Sequence, residues 1–150
     1  MRSLYAACRS WISVLGITLA MLAAPSPAQE ALDTAIPAPW QEVISGQIQA
    51  FRDRDAPTAF SYAGTAFQIS FQNAEIFFET IVRSGYAPIM DSHSHSFGDY
   101  LMISSRAVLQ RVRLVGIDLQ LYEAIYQLIE EPEGWRVQGV QLFRQRGMAS

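Results

Sequence analysis

The stretch LQLYEAIYQLI, residues 119–129, contains the clearest strand pattern in the chain. Its apolar side chains recur at every second position, with the polar Glu123 and Gln127 between them. The residues on the apolar side are Tyr122, Ala124, Tyr126 and Leu128. Because side chains two positions apart share one face of a strand, the stretch predicts a strand over 119–129 that is buried on one side.

Three further strand patterns surround this segment in the C-terminal half of the chain. They are rich in β-branched and aromatic residues and lie near 89–97, over 107–115 and over 135–143. The turn EPEG at 131–134 places proline and glycine at hairpin positions. Since short connections make consecutive strands antiparallel neighbours, the sequence predicts a four-stranded meander.

Helical spacing precedes the strands. From Trp40 the apolar positions 40, 43, 44, 48 and 51 line one face of a helix, with Pro39 at its first position. Asp55 caps a second short helix over 58–63, and Asn73 caps a third that runs to Arg83. The segment 65–71 fits either a strand or one helical turn.

These patterns together predict an α+β fold. Three N-terminal helices pack on a curved four-stranded antiparallel sheet, which wraps around the first helix and encloses a cone between helix and sheet.

The first 28 residues are typical of a bacterial secretory signal peptide. Arg2 and Arg9 precede an uncharged apolar run at 11–24, which is shorter than the roughly 20 residues of a membrane-spanning helix. We therefore expect a signal peptide at 1–28, a linker at 29–39, a single domain at 40–146 and a disordered tail at 147–150. The expected location is periplasmic or secreted, and an uncleaved N-terminal anchor is the alternative.

Composition excludes several classes of function. The single cysteine, Cys8, lies within the expected signal peptide, so the mature domain can form neither a disulfide nor a cysteine-ligated metal site. The absence of lysine excludes Schiff-base chemistry. Without Arg2 and Arg9, the remaining basic residues are outnumbered by 14 acidic ones, so nucleic acid and anionic membranes are not expected partners. No cofactor is expected either.

The stretch MDSHSHSFGDY at 90–100 raises the question of a metal site. His93 and His95 are two positions apart, so on a strand their side chains would share one face. Neutral imidazole is a suitable ligand for zinc, copper or nickel. A zinc site needs at least three protein ligands, however, and the expected neighbours on this face, Ile89 and Phe97, are apolar. The pair is a weak metal candidate, and a position at a strand edge or cavity rim is favoured.

Gln110 is the most informative polar residue of the predicted sheet. It alternates with Val108 and Val112, so it would point inward, where an unpaired amide costs about 1–3 kcal/mol. Its partner could be a ligand, a water or another protein group. The candidates for the lining of a ligand pocket are Gln110, Tyr122, Tyr126, Trp135 and His95.

Six motifs follow one another along the chain. They are I-x-x-Q-I-x-A-F at 44–51, D-A-x-x-A-F-S-Y-A at 55–63, F-x-x-I-V-x-x-G-Y-x-P at 78–88, Q-x-V-x-L-V at 110–115, Y-x-A-x-Y at 122–126 and G-W-R-V-x-G at 134–139. The set resembles an uncharacterised bacterial family, domain of unknown function 4864, of the nuclear-transport-factor-2-like, cystatin-like superfamily. The resemblance implies a cone enclosed by a helix and a sheet, but it does not imply any activity.

This chain departs from the family pattern at two places. It has Asp118-Leu119 where the family tends to have Asp-Gly, and His95 where an apolar residue is usual. The second departure counts against a shared catalytic role for His95.

Three functions are compatible with these features. The favoured one is a non-catalytic domain that binds a small apolar molecule or a protein partner in or on the cone. An acid/base enzyme of the isomerase or lyase type would use His95 with a nearby carboxylate such as Asp91, and Tyr122 and Tyr126 as oxyanion donors. The third is a structural module that forms a homodimer through the outer sheet face, where Arg111 and Arg113 could pair with a partner's acids. The predicted inward positions of the second to fourth strands hold no carboxylate, which disfavours the enzyme.

Overall fold

The computed structural model describes residues 36–145, which form a helical N-terminal half followed by a sheet. The helices are α1 (Pro39–Arg52), α2 (Ala56–Ser61), α3 (Thr65–Ser70), α4 (Ala74–Ile81) and α5 (Ala87–Met90), with a π-helical turn, Val82–Tyr86, between α4 and α5. The strands are β1 (Ser94–Ser104), β2 (Ala107–Val115), β3 (Leu121–Glu131) and β4 (Gly134–Arg144).

The remaining parts of the expected organisation are the signal peptide, most of the linker and the tail at 147–150. They lie outside the described residues. Across 36–145, the structure contains no helix whose length and hydropathy would let it cross a membrane.

The four strands form one antiparallel sheet in the order β1-β2-β3-β4. The predicted α+β fold, with helices followed by an antiparallel meander, is confirmed. The β1–β2 register is irregular between Phe97 and Tyr100, and the β3–β4 register between Gln127 and Leu128. Such bulges bend and twist the strands that carry them.

The core lies between α1 and the inner face of the sheet. Ile44 and Ile48 of α1 are fully buried, as their helical spacing predicts. The even-numbered residues of β2 and β3 provide the opposing surface: Val108, Gln110, Val112, Leu114, Ala124, Tyr126 and Leu128 are buried. The alternation seen in the sequence therefore identifies the inner face correctly.

The predicted strand near 89–97 is wrong at its beginning. Ile89 and Met90 are buried in helix α5, and β1 begins only at Ser94. Gly85 adopts a left-handed conformation (φ 90°) after α4, and Pro88 then occupies the start of a new helix, where its fixed φ is favourable. The chain therefore continues as helix where the alternation of apolar residues predicted a strand.

The number of helices also exceeds the predicted three. The segment 65–71, which fitted two structures, forms α3. The first residue of α3, Thr65, donates two hydrogen bonds to Glu131 at the end of β3, from its amide to Oε1 (3.0 Å) and from its hydroxyl to Oε2 (2.6 Å). This contact spans 66 residues of sequence, so local spacing does not reveal it.

Candidate functional site

A cavity of about 190 Å³ lies between the helices and the β3–β4 half of the sheet. Its lining residues are Gln47, Phe51, Ala63, Phe67, Phe77, Ile81, Tyr86, Ile89, Tyr126, Val137, Gly139 and Val140. The deeper residues, such as Phe51, Phe77 and Tyr126, are buried, whereas Ile81 and Tyr86 are half-buried and form the rim. The site is therefore a mainly apolar cavity that opens between α4, the π-helical turn and β4.

Phe77 of α4 holds the helical wall of the cavity together. Its ring lies 5.0 Å from that of Phe60, 5.4 Å from Phe71, 6.1 Å from Phe67 and 6.3 Å from Phe51. Aromatic pairs at these separations contribute beyond their buried area. Contacts between aromatic rings thus join the four helices α1 to α4 and make the helical wall of the cavity apolar.

Tyr126 supplies the most unusual polar group of the cavity. Its side chain is fully buried, and no protein group within 36–145 lies in hydrogen-bond range of its hydroxyl. Burial raises the pKa of this phenol strongly, and the positive charge of Arg52 opposes only part of that rise. The hydroxyl therefore stays protonated and can donate a hydrogen bond.

Gln47 of α1 is the second polar side chain of the lining. It is 3% exposed, and its Nε2 donates to the backbone oxygen of Ala59 at 3.2 Å, which fixes the amide beside the cavity. Sequence reasoning did not select this residue as a site. The sequence feature that could have identified Gln47 is its position between Ile44 and Phe51, on the buried stripe of α1.

The rim is closed on one side by Tyr86, which the π-helical turn places beside β4. The Tyr86 hydroxyl donates to the backbone oxygen of Val140 at 2.7 Å. Both residues line the cavity. Gly85 interrupts this turn with a left-handed conformation (φ 90°, ψ 13°), so the chain is kinked between α4 and α5.

Of the five predicted pocket residues, only Tyr126 lines the cavity. Gln110 is fully buried but bonded elsewhere, since its Oε1 accepts from Trp40 Nε1 and its Nε2 donates to Gly98 O. The Trp135 ring packs against the Trp40 ring at 5.3 Å. Gln110 and Trp135 thus form part of the contact between α1 and the sheet.

Tyr122 lies at the start of β3, away from the cavity. Its hydroxyl donates to Asp118 Oδ2 at 3.0 Å, and this hydrogen bond is the main reason that its pKa is raised. Tyr122 and Tyr126 therefore share one strand face but differ completely in hydrogen bonding.

The two histidines have different surroundings. His93 is exposed and precedes β1, whereas His95 is half-buried within β1, with Nε2 3.0 Å from Ser45 Oγ. Burial lowers the pKa of His95, and the positive charge of Arg52 lowers it further. At neutral pH the His95 ring is therefore uncharged and can accept the hydrogen bond of the serine hydroxyl.

The carboxylate expected beside His95 has another partner. Asp91 lies just after α5 rather than on β1, and its Oδ1 pairs with Arg54 Nη2 at 2.8 Å. In the described part of the chain, no three histidine, cysteine, aspartate or glutamate residues gather in a way that could hold a metal ion.

The sequence of this chain matches one family model over most of its length. The model is Domain of unknown function (DUF4864), and it matches residues 34–150. The chain belongs to this family. No curated protein shows significant similarity to it.

Two solved structures with low sequence identity are similar to this family member. One is a crystal structure of a protein from Kribbella flavida DSM 17836, with 12% identity and a TM-score of 0.44, covering 70% of this chain and 85% of the other. The second is an NTF2-like protein of unknown function from Pseudomonas putida KT2440, with 14% identity and a TM-score of 0.43, covering 82% and 91% respectively.

Proposed function

We propose that this domain binds a small, mainly apolar molecule in the cavity between the helices and the sheet, and that Tyr126 donates a hydrogen bond to it. One observation carries the proposal: Tyr126, whose fully buried hydroxyl has no hydrogen-bond partner among residues 36–145, is one of the residues that line a mainly apolar cavity. An unpaired buried polar group costs about 1–3 kcal/mol. A ligand with a hydrogen-bond acceptor would offset that cost.

The volume of the cavity limits the size of the ligand. A protein cavity of about 150 Å³ accommodates benzene, so a cavity of about 190 Å³ suits one ring or a short chain with a small polar substituent. Among the residues that the structure describes, no charged side chain lines the cavity. Because burying an unpaired charge is far more costly than burying a neutral polar group, the proposed ligand is neutral.

Acetophenone and ethylbenzene provide a direct test, since they share a ring and a two-carbon substituent and differ in one carbonyl oxygen. Titrations followed by protein NMR should show that acetophenone binds wild type more tightly, by about tenfold for a hydrogen bond of about 1.4 kcal/mol. Tyr126→Phe should abolish the difference, and Tyr122→Phe, which removes a phenol outside the cavity, should preserve it.

Two results would contradict the proposal. The first is that neither compound perturbs the resonances of residues that line the cavity, and the second is that acetophenone keeps its full advantage in Tyr126→Phe. In the first case the cavity does not bind molecules of this size, and in the second Tyr126 is not the donor.

The acid/base alternative has less support from the geometry. His95 bonds to Ser45 and does not line the cavity, and Asp91 is paired with Arg54. We therefore propose binding without catalysis.

We also propose that the domain acts outside the cytoplasm. The support is the signal-like sequence of residues 1–28 and the absence of cysteine after it. N-terminal sequencing of the protein recovered from a bacterial periplasm should begin at Gln29, and an intact Met1 in the cytoplasmic fraction would overturn this location.

A further inference from the structure

Two polar groups of the cavity lining are complementary to each other. The hydroxyl of Tyr126, on β3, is a donor without an acceptor among residues 36–145. Gln47 lies on α1, in the helical wall of the same cavity. Within the described part of the chain, its side chain makes one hydrogen bond, from Nε2 to the backbone oxygen of Ala59. Gln47 Oε1 is therefore an acceptor to which no group of residues 36–145 donates.

The contact with Ala59 determines which amide atom of Gln47 faces the cavity. A backbone oxygen can only accept a hydrogen bond, so the amide nitrogen must be the atom beside it. Ala59 is fully buried and is not one of the residues that line the cavity. The nitrogen therefore points away from the lining, which leaves Oε1 as the amide atom on the cavity side.

The donor and the acceptor lie at the inner end of the cavity and are not bonded to each other. Tyr126 is fully buried and Gln47 is 3% exposed, whereas Ile81 and Tyr86 at the rim are half-buried. Because the Tyr126 hydroxyl has no partner in residues 36–145, it does not reach Gln47 Oε1 directly. A bound molecule would meet both polar groups with its inner end, and its other atoms would contact the apolar lining.

We propose that the ligand is a neutral alcohol whose hydroxyl group bonds to both residues. This inference rests on the binding function proposed above and names the class of ligand. A hydroxyl group is donor and acceptor through a single oxygen. That oxygen accepts the hydrogen bond of Tyr126, and its own hydrogen is donated to Gln47 Oε1. The carbon atoms of the alcohol extend toward the rim.

Other polar groups match this pair of residues less well. A ketone or an ether accepts from Tyr126 but gives nothing to Gln47. A primary carboxamide offers both bonds but brings a second N–H, and an unpaired donor in an apolar cavity is costly. An amine or a carboxylic acid is charged near neutral pH, and no charged side chain of residues 36–145 lines the cavity to pair with it. The alcohol satisfies both protein groups and adds no unpaired donor.

Three compounds with one carbon skeleton test the class of ligand. Ethylbenzene has no polar atom, acetophenone has an acceptor, and 1-phenylethanol has a group that both accepts and donates. They are titrated into the protein expressed from the complete 150-residue sequence and followed by NMR, with the two enantiomers of the alcohol measured separately. The tighter enantiomer should have a dissociation constant about fivefold below that of acetophenone, the usual effect of one further hydrogen bond.

Gln47→Met removes the acceptor and keeps an unbranched side chain of similar length. In this variant the advantage of 1-phenylethanol over acetophenone should disappear. The advantage of acetophenone over ethylbenzene depends on Tyr126 and should remain. Gln49→Met is the matched control, since Gln49 is exposed on the same helix and does not line the cavity. It should retain the wild-type order of the three compounds.

A measurement on wild type does not depend on the folding of a variant. A hydrogen bond to Oε1 polarises the side-chain carbonyl of Gln47, so the ¹³Cδ resonance of this residue reports the bond. Saturating 1-phenylethanol should move that resonance to higher frequency than saturating acetophenone does. The comparison stays valid even where Gln47→Met fails to fold because the backbone oxygen of Ala59 has lost its donor.

Failure of the ligand class and failure of the cavity proposal give different results. If acetophenone binds more tightly than ethylbenzene but as tightly as the alcohol, the binding function stands and the alcohol is excluded. An advantage of the alcohol that persists in Gln47→Met, with no change at the Gln47 carbonyl in wild type, would overturn the role of Gln47. If none of the three compounds perturbs the resonances of lining residues, the binding function itself is wrong, and the inference fails with it.

Discussion

The indole of Trp40 donates a hydrogen bond to Gln110 Oε1 at 3.0 Å, which joins the start of α1 to the middle of β2. The same oxygen accepts from Gln41 Nε2 at 3.1 Å. The Gln110 Nε2 group donates to Gly98 O at 2.9 Å, within the irregular part of the β1–β2 register. A single buried amide thus satisfies a backbone carbonyl at the bulge and holds the first helix on the sheet.

Gln110→Leu should destabilise the domain by about 2–4 kcal/mol. Leucine has a similar size, but it leaves the Trp40 indole and the Gly98 carbonyl without their partner, and each buried unpaired group costs about 1–3 kcal/mol. The measurement is urea unfolding followed by tryptophan fluorescence. Gln127→Leu, on the exposed side of β3, is the matched control and should change the unfolding free energy by less than about 0.5 kcal/mol. Equal midpoints for the two variants would show that the amide has no structural role.

The strand alternation was sufficient to predict the inner face of the sheet. Gln110 and Tyr126 point inward because side-chain direction in a strand depends only on position along it, a strictly local property. The same rule could not distinguish Tyr122 from Tyr126. Both share the inner face, but Tyr122 lies beside Asp118 in the preceding turn, whereas Tyr126 lies at the strand centre, where no polar group of residues 36–145 reaches its hydroxyl.

The cavity itself could not be predicted because its walls come from distant parts of the chain. Gln47 and Phe51 belong to α1, Tyr86 to the π-helical turn and Val140 to β4. Whether rings fill the space between such elements or leave a hollow depends on packing in three dimensions, which sequence periodicity does not record. The strand predicted near 89–97 failed for a related reason: Ile89 is buried because α5 packs on α1, and burial alone does not distinguish helix from strand over four residues.

Tyr126→Phe should maintain or increase stability in the absence of ligand, by up to about 1 kcal/mol. The substitution removes a buried hydroxyl that has no partner within the described part of the chain, and it keeps the ring that fills the core. Sites that serve binding are commonly destabilised in this way. Thermal unfolding of both proteins without added ligand gives the comparison. A loss above about 1 kcal/mol would mean that the hydroxyl is already well satisfied in the folded protein, and that the ligand proposal has lost its main support.

The stability of the domain should decrease as the pH falls below about 6.5, with a contribution from His95. Burial and Arg52 lower the pKa of this histidine in the folded state, so below the ordinary histidine pKa the unfolded chain binds more protons than the folded one. The stabilising contribution is complete above pH 6.5 and is lost as the pH falls toward the lowered folded-state pKa.

Urea unfolding at pH 7.5, 6.5 and 5.5 measures this dependence. His95→Gln should reduce the loss of stability between pH 7.5 and 5.5, whereas His93→Gln, which removes an exposed histidine outside the strand, should retain the wild-type dependence. If His95→Gln and wild type lost stability equally over this interval, burial of the His95 ring would have no energetic consequence.

Gly46→Ala should destabilise the domain by about 1–3 kcal/mol, although alanine is normally favoured over glycine inside a helix by about 0.5–1 kcal/mol. Gly46 lies within α1, and a Cβ atom there would be only 2.5 Å from Cζ of Tyr62. The backbone of Tyr62 is held in place, because its oxygen accepts a hydrogen bond from the amide of Val137 at 2.9 Å, so the ring can leave this position only by rotating out of its present packing.

A double-mutant cycle with Tyr62→Leu separates the two effects on Gly46→Ala. Leucine has no atoms at the far end of the tyrosine ring, so in that background Gly46→Ala should become stabilising by about 0.5–1 kcal/mol, the helix-propensity value. The coupling between the two positions should therefore exceed about 1.5 kcal/mol, as expected for residues in direct contact. Chemical denaturation of the four proteins gives each value, and additive effects would show that α1 and the segment after α2 do not approach closely at this point.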